Sequence, residues 1–275
     1  MIIPIGLDAH PERRGYVTYV LVGLCALIFA WQLSVADEEG AGRYMAWYNV
    51  AEMRERAREE IKRELGPKAD EVSAEELDAG IEAFLDKKLA PEEWDWTRRP
   101  WTLLTCAFLH GDLWHVLGNL LFLFIFGRAV NGRAGHGSFL GVYLFAAVAS
   151  SYAHILFSGS APGALLGASG AISAVMGMAL AFFPRHRVRM FVWIFRFARV
   201  VEVRAFWAIL YWFGYDLVMV LFVAKGSGVA VMAHVAGYAV GFAAGMGLLA
   251  SGLVRPDGWD LLSTFRGRAV GRGFD

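Results

Sequence analysis

Apolar runs long enough to cross a bilayer alternate along this chain with polar, arginine-bearing segments. A hydrocarbon core of about 30 Å needs roughly 20 helical residues, or fewer where a helix starts below the surface. Six runs qualify: Tyr16–Val35, a stretch within Trp101–Gly127, Phe139–Phe157, Ser169–Phe183, Ala205–Val223 and Val229–Leu249. Residues 37–99 follow a different, amphipathic pattern. Met53, Ala57, Ile61 and Leu65 recur every fourth position, and Gly66-Pro67 ends that helix. Ser73 and Glu76 form a capping box for a second helix. Its apolar stripe is Leu77, Ile81, Phe84, Leu85 and Leu89.

Charge sharpens the division. The chain is 57% hydrophobic with no net charge, which gives no reason to expect nucleic-acid binding. Residues 37–99 hold 18 of the 26 acidic and 11 of the 26 basic side chains, a net of −7, so the rest carries +7. Of the 15 basic residues outside that segment, 14 fall in the stretches that six spans would put on one side, and only Lys225 falls opposite. By the positive-inside rule that side is the cytoplasm. Both termini are then cytoplasmic and the 37–99 insert is extracytoplasmic. Cys25 and Cys106 lie in apolar runs without metal or redox spacing. No cleavable signal peptide is read at the N-terminus, where Pro4, Asp8, Glu12, Arg13 and Arg14 precede the first run.

The expected organisation is a short N-terminus (1–15), a first span (16–36), the charged insert (37–99), a core of spans two to six (100–252) and a basic tail (253–275). The fold class is an all-α, polytopic six-helix bundle. The insert reads as a helical hairpin, either a solvated decoration on the outer loops or a device over the outer face that recruits substrates or shields a site. Trp94, Trp96, Trp101 and Trp114 mark re-entry through the outer interface.

Polar residues inside spans cost free energy unless paired or wetted, so each is a candidate for function. Ser169 stands between Gly167 and Gly170 at the head of the fourth span. Serine is common at helix contacts in membranes. At a helix start, however, the free backbone N–H groups can also hold an oxyanion. His234 heads a face of small residues, Gly237, Gly241 and Gly245, which permits close approach to another helix. It is either a packed histidine or a general base for Ser169. His115 and Asn119, one turn apart, can both donate hydrogen bonds into a dry site; the plain alternative is an interhelical hydrogen bond. Ser169 to Phe183 makes about 22 Å of helix, His115 to Gly127 about 20 Å and His234 to Leu249 about 24 Å, so the three polar groups reach a similar depth in the outer half. His110, Asp112 and His115 lack the i, i+4 histidine pair of helical zinc proteases, so no metal is read there. Asp216, in the fifth span, pairs with a polar group or lies near an interface; the sequence assigns it no role.

Three runs carry a resemblance: Phe108-Leu109-His110-Gly111-Asp112-Leu113-Trp114-His115-Val116-Leu117-Gly118-Asn119, then Gly167-Ala168-Ser169-Gly170-Ala171, then Ala233-His234-Val235-Ala236-Gly237-Tyr238-Ala239-Val240-Gly241. In this order they resemble the rhomboid family of intramembrane serine proteases, over roughly residues 100–250. Phe126-Gly127-Arg128-Ala129-Val130-Asn131 with Leu140–Tyr143 is similar to the family's connection between its second and third helices. The resemblance implies a Ser–His dyad with no third acidic residue and no cofactor. Ser169 would be the nucleophile and His234 the base. His115, Asn119 and the Ser169 N–H would form the oxyanion hole, with His110 supporting the preceding loop. It implies single-span membrane proteins as substrates, cut at or near the membrane, and a bacterial cytoplasmic membrane as the setting. Three positions depart from the pattern. Thr102 follows Trp101 where an arginine is common, Ser173 stands where some bacterial members stack an aromatic on the base, and Asn131 replaces a frequent glutamate. A silent rhomboid-like escort would be expected to lack Ser169 or His234. A transporter would show repeats or midplane charges, and neither is read here.

Overall fold

The computed structural model of the chain describes residues 2–9, 13–34, 50–66, 72–73, 76–81, 100–158, 166–194, 196–222 and 231–268. The chain is mostly helical, and its described helices follow the apolar runs, with one amphipathic helix in the insert and a short one in the tail. They are α1 (Tyr16–Ser34), α2 (Val50–Leu65), α3 (Leu113–Ala134), α4 (His136–Ser158), α5 (Ser169–Phe182), α6 (Ala205–Phe222), α7 (Val231–Ala250) and α8 (Leu261–Phe265). Among the described residues four helices are long and apolar enough to cross a membrane: Tyr16–Ser34, Leu113–Ala134, His136–Phe157 and Val231–Ala250. Ser169–Phe182 and Ala205–Val218 are shorter apolar helices.

The second span differs from its sequence reading. It starts at Leu113, because Asp112 caps it by accepting hydrogen bonds from the N–H groups of Trp114 and His115 at 2.6 and 2.9 Å. Helical turns at Thr102–Thr105 and Cys106–Phe108 precede it. The helix then runs past Gly127, through a π-helical segment at Leu123–Gly127, to Ala134. Arg128 and Arg133 are therefore helical, not part of a loop. The turn to α4 falls at Gly135, whose φ of +83° is open to glycine at little cost. Asn131, fully buried on this helix, accepts a hydrogen bond from the Thr18 N–H at 3.4 Å and lies 3.0 Å from His136 Nδ1. One amide thereby joins α1, α3 and α4.

A three-stranded antiparallel sheet, not expected of an all-α bundle, adjoins the helices. Its order is β1 (Ile2–Leu7), β2 (Arg187–Ile194), β3 (Phe197–Arg204). The arginines between the fourth and fifth apolar runs thus sit mostly on a hairpin. Alternation explains it: Arg187 and Arg189 are exposed while Val188 and Met190 are buried. Arg189 pairs with Glu202 in register, and Ile3 of β1 pairs with Phe191. Leu7, Val188 and Met190 join the same core as Phe182 and Ile209, which fixes the sheet base to the bundle.

The described part of the tail is also docked. Asp260 caps α8 through the N–H and hydroxyl of Ser263, both at 2.8 Å. Arg133 forms an ion pair with Asp257 and lies 5.4 Å from the Phe183 ring centroid. Burial alone would raise the Asp257 carboxyl, but the Arg133 hydrogen bond and charge outweigh it and hold the group below the usual carboxylate range.

In the insert, Ser73 and Glu76 make the expected capping box. The Ser73 N–H and hydroxyl donate to Glu76 Oε2 at 3.1 and 2.8 Å, and the Glu76 N–H donates back at 3.3 Å. Ala57 and Ile61 of α2 pack against Leu77 and Ile81, and Arg58 pairs with Asp78 at 3.1 Å. Phe84, Leu85 and Leu89 of the expected stripe lie outside the described residues, as do Trp94 and Trp96.

Candidate active site

The site is built where α5 and α7 touch backbone to backbone. A Cβ on Gly241 would overlap the carbonyl oxygen of Ala174, and one on Gly237 would overlap that of Gly170. Only glycine allows this approach. Gly170 in turn packs on α4, where a Cβ would come within 2.6 Å of Ser150 Cβ. His234 sits one turn before Gly237, so the seam carries its ring to the N-terminal end of α5. There Ser169 Oγ lies 2.8 Å from His234 Nε2. Two side chains 65 residues apart in sequence are within hydrogen-bond reach.

The loop entering α5 brings in the other pair. Gly167 has φ +110°, a conformation that residues with side chains rarely adopt, and its N–H donates to the Cys106 carbonyl at 3.0 Å. A Cβ there would fall 2.6 Å from His115 Nε2 and 3.3 Å from Asn119 Nδ2. The bare backbone of Gly167 therefore lies directly against both side chains of α3. Ala168, the N-cap of α5, supplies no side-chain hydrogen bond to the first turn. Helix N-termini present unsatisfied N–H groups and partial positive charge, so this end favours a developing anion. Asn119 is buried, and its Nδ2 has no hydrogen-bond partner among the described residues.

His110 is placed by its backbone. Gln32 on α1 donates to the His110 carbonyl at 3.2 Å and accepts from its N–H at 3.1 Å. The His110 ring is 1% exposed and meets His115 edge-on, with centroids 5.3 Å apart. This geometry fits a support for His115. Asp112 is engaged as the cap of α3.

One group close to the site was left without a role by the sequence. Asp216 Oδ1, on α6, lies 3.3 Å from His234 Nδ1, and both side chains are largely buried. The available signal was its position, a carboxylate inside an apolar run, which is costly unless paired. The partner could not be read, because spacing within one helix says nothing about which face of a neighbour it meets.

Comparison with known proteins identifies the family. A family model described as Rhomboid domain matches residues 97–251, more than half of the 275-residue chain. The chain belongs to the rhomboid family. It is also similar to Rhomboid protein 1, mitochondrial, of Saccharomyces cerevisiae, with 30% identity over 113 residues. That stretch is 40% of this chain and 32% of the yeast protein, so the chain spans about a third of that relative's length. Family membership and the apolar helices make this a membrane protein, in a family whose members are typically serine proteases.

Proposed function

We propose that this chain is an intramembrane serine endopeptidase that cleaves single-span membrane proteins within or next to their transmembrane helix. The observation that carries the reading is the 2.8 Å approach of Ser169 Oγ to His234 Nε2. A serine hydroxyl is a weak nucleophile until a base removes its proton. As Ser169 Oγ attacks the scissile carbonyl carbon, its proton passes to His234 Nε2. The carbonyl oxygen takes up negative charge and is held by the Ser169 N–H, His115 and Asn119. His234 then returns the proton to the leaving amine, which departs and leaves an ester on Ser169. Water, deprotonated by His234, attacks that ester and restores the serine. No step calls for a metal or cofactor.

Substrate class follows from the setting. Site groups on short or recessed helix ends meet a chain that is itself in the bilayer. A peptide bond inside a helix is shielded, so the substrate helix must unwind locally before attack. In this reading α5 and α6 complete a six-span bundle, the arginine-bearing segments face the cytoplasm with both termini, and the 37–99 insert is extracytoplasmic. The bacterial cytoplasmic membrane is the proposed setting.

The test is cleavage of a single-span substrate in proteoliposomes by wild type, Ser169→Ala and His234→Ala. The reading expects both variants to fold and neither to cleave. Wild-type rates from either variant overturn it.

A further inference from the structure

We propose that Asp216 is a positioning residue for His234, fixing the imidazole in the tautomer that lets Nε2 take the proton of Ser169. The inference rests on the Ser169–His234 reading above. Its observation is a line of three groups from three helices. Asp216 Oδ1 on α6 is 3.3 Å from His234 Nδ1, and Nε2 of the same ring is 2.8 Å from Ser169 Oγ on α5. Each ring nitrogen faces a different group.

A neutral imidazole carries one proton, on one nitrogen or the other. A bare lone pair on Nδ1 would face a carboxylate oxygen at 3.3 Å, anion against lone pair. With the proton on Nδ1, that contact becomes attractive. Nε2 is then the acceptor and faces the serine hydroxyl, the arrangement a general base requires. When Ser169 Oγ bonds to the substrate carbonyl carbon, its O–H bond breaks and the proton moves to Nε2. The ring becomes a cation between Ser169 and Asp216. The Asp216 and His234 side chains are 16% and 18% exposed, so water screens their attraction only in part. Asp216 keeps its negative charge throughout and accepts no proton.

The alternative is a pair retained only for packing. The surroundings of Asp216 make that an expensive choice. Its neighbours along α6, Tyr215, Leu217 and Val218, are exposed apolar side chains of the kind that meet lipid. A charge held in such a helix without a task would be replaced at a gain by an apolar residue.

Two measurements on the full chain in lipid nanodiscs test the role. The first reads the His234 tautomer by nitrogen-15 NMR in the wild type, and so depends on no variant. The expected form is neutral with the proton on Nδ1; a ring protonated on Nε2 alone overturns the inference. The second is kinetic. Asp216→Asn should lower kcat by on the order of ten- to a hundredfold and leave KM within about twofold. Asp216→Glu, which keeps the charge, should recover part of the loss. Wild-type kcat in Asp216→Asn, or no recovery in Asp216→Glu once thermal unfolding shows it folded, overturns the inference. Retained activity in Ser169→Ala would instead overturn the reading beneath it, so the two failures are told apart.

Discussion

Gln32 and His110 hold one another across 78 residues of sequence: the Gln32 amide donates to the His110 carbonyl at 3.2 Å and accepts from the His110 N–H at 3.1 Å. This two-way bond ties α1 to the loop that carries the His115-bearing helix. Both residues are buried, so removing the amide leaves a backbone donor and acceptor dry. Gln32→Leu is expected to destabilise the folded chain by about 1–3 kcal/mol. It should lower kcat as well, because the His110 ring supports His115. Thermal unfolding in detergent and steady-state kinetics check the two effects separately.

The α5–α7 seam is predicted to tolerate no side chain at its centre. Gly241→Val would drive a branched side chain into the Ala174 backbone and push His234 away from Ser169. The expected outcome is a poorly folded or inactive chain. Gly247 is the control, since a Cβ there meets no atom within 4 Å. Gly247→Ala should leave activity intact and raise stability slightly, by roughly 0.5–1 kcal/mol, because it replaces glycine inside a helix. Equal behaviour of the two variants would contradict the packing account.

Asn119 is expected to act in the transition state. Its Nδ2 is buried beside Gly167 with no hydrogen-bond partner among the described residues. Loss of one oxyanion donor typically lowers kcat by about a hundred- to a thousandfold. Asn119→Ala should therefore lower kcat on that order and change KM little. A rise in KM with kcat unchanged would assign the side chain to ground-state binding instead.

The docked tail should loosen in acid. Arg133 holds the Asp257 carboxyl below its usual range, so the folded pKa lies under the unfolded value of about 4. The contribution is complete above that pH and is lost as pH falls through the lower, folded value. Hydrogen exchange at Leu261–Phe265, taken relative to the intrinsic amide rate at each pH, should be slow at neutral pH and become faster as pH falls through the folded value. In Asp257→Asn it should already be faster at neutral pH.

The sequence made some of this legible and hid the rest for physical reasons. Helices α1, α4, α5 and α7 follow apolar runs to within a few residues, because burial in lipid demands unbroken apolar stretches. The Ser73–Glu76 cap was readable because a capping box is local. The Gly237–Gly241 face announces a tight contact with the helix bearing Ser169, and that is the helix it meets. The sheet escaped because β1, only six residues long, lies some 180 residues from its partner β2, and the adjacent β2–β3 hairpin mixes arginines with apolar residues and so reads as no apolar run. The second span ran on through Arg128 and Arg133 because a basic residue near a bilayer surface marks an interface without ending a helix. Asp216 was noticed but not placed, since only packing of α6 beside α7 aims it at Nδ1 of His234.

The most direct measurement of the central claim is the site of covalent labelling by a serine-reactive fluorophosphonate. The account predicts one adduct, on Ser169 by peptide mass spectrometry, and none when His234 is replaced by alanine. An adduct on a different residue, or undiminished labelling of Ser169→Ala, would contradict it.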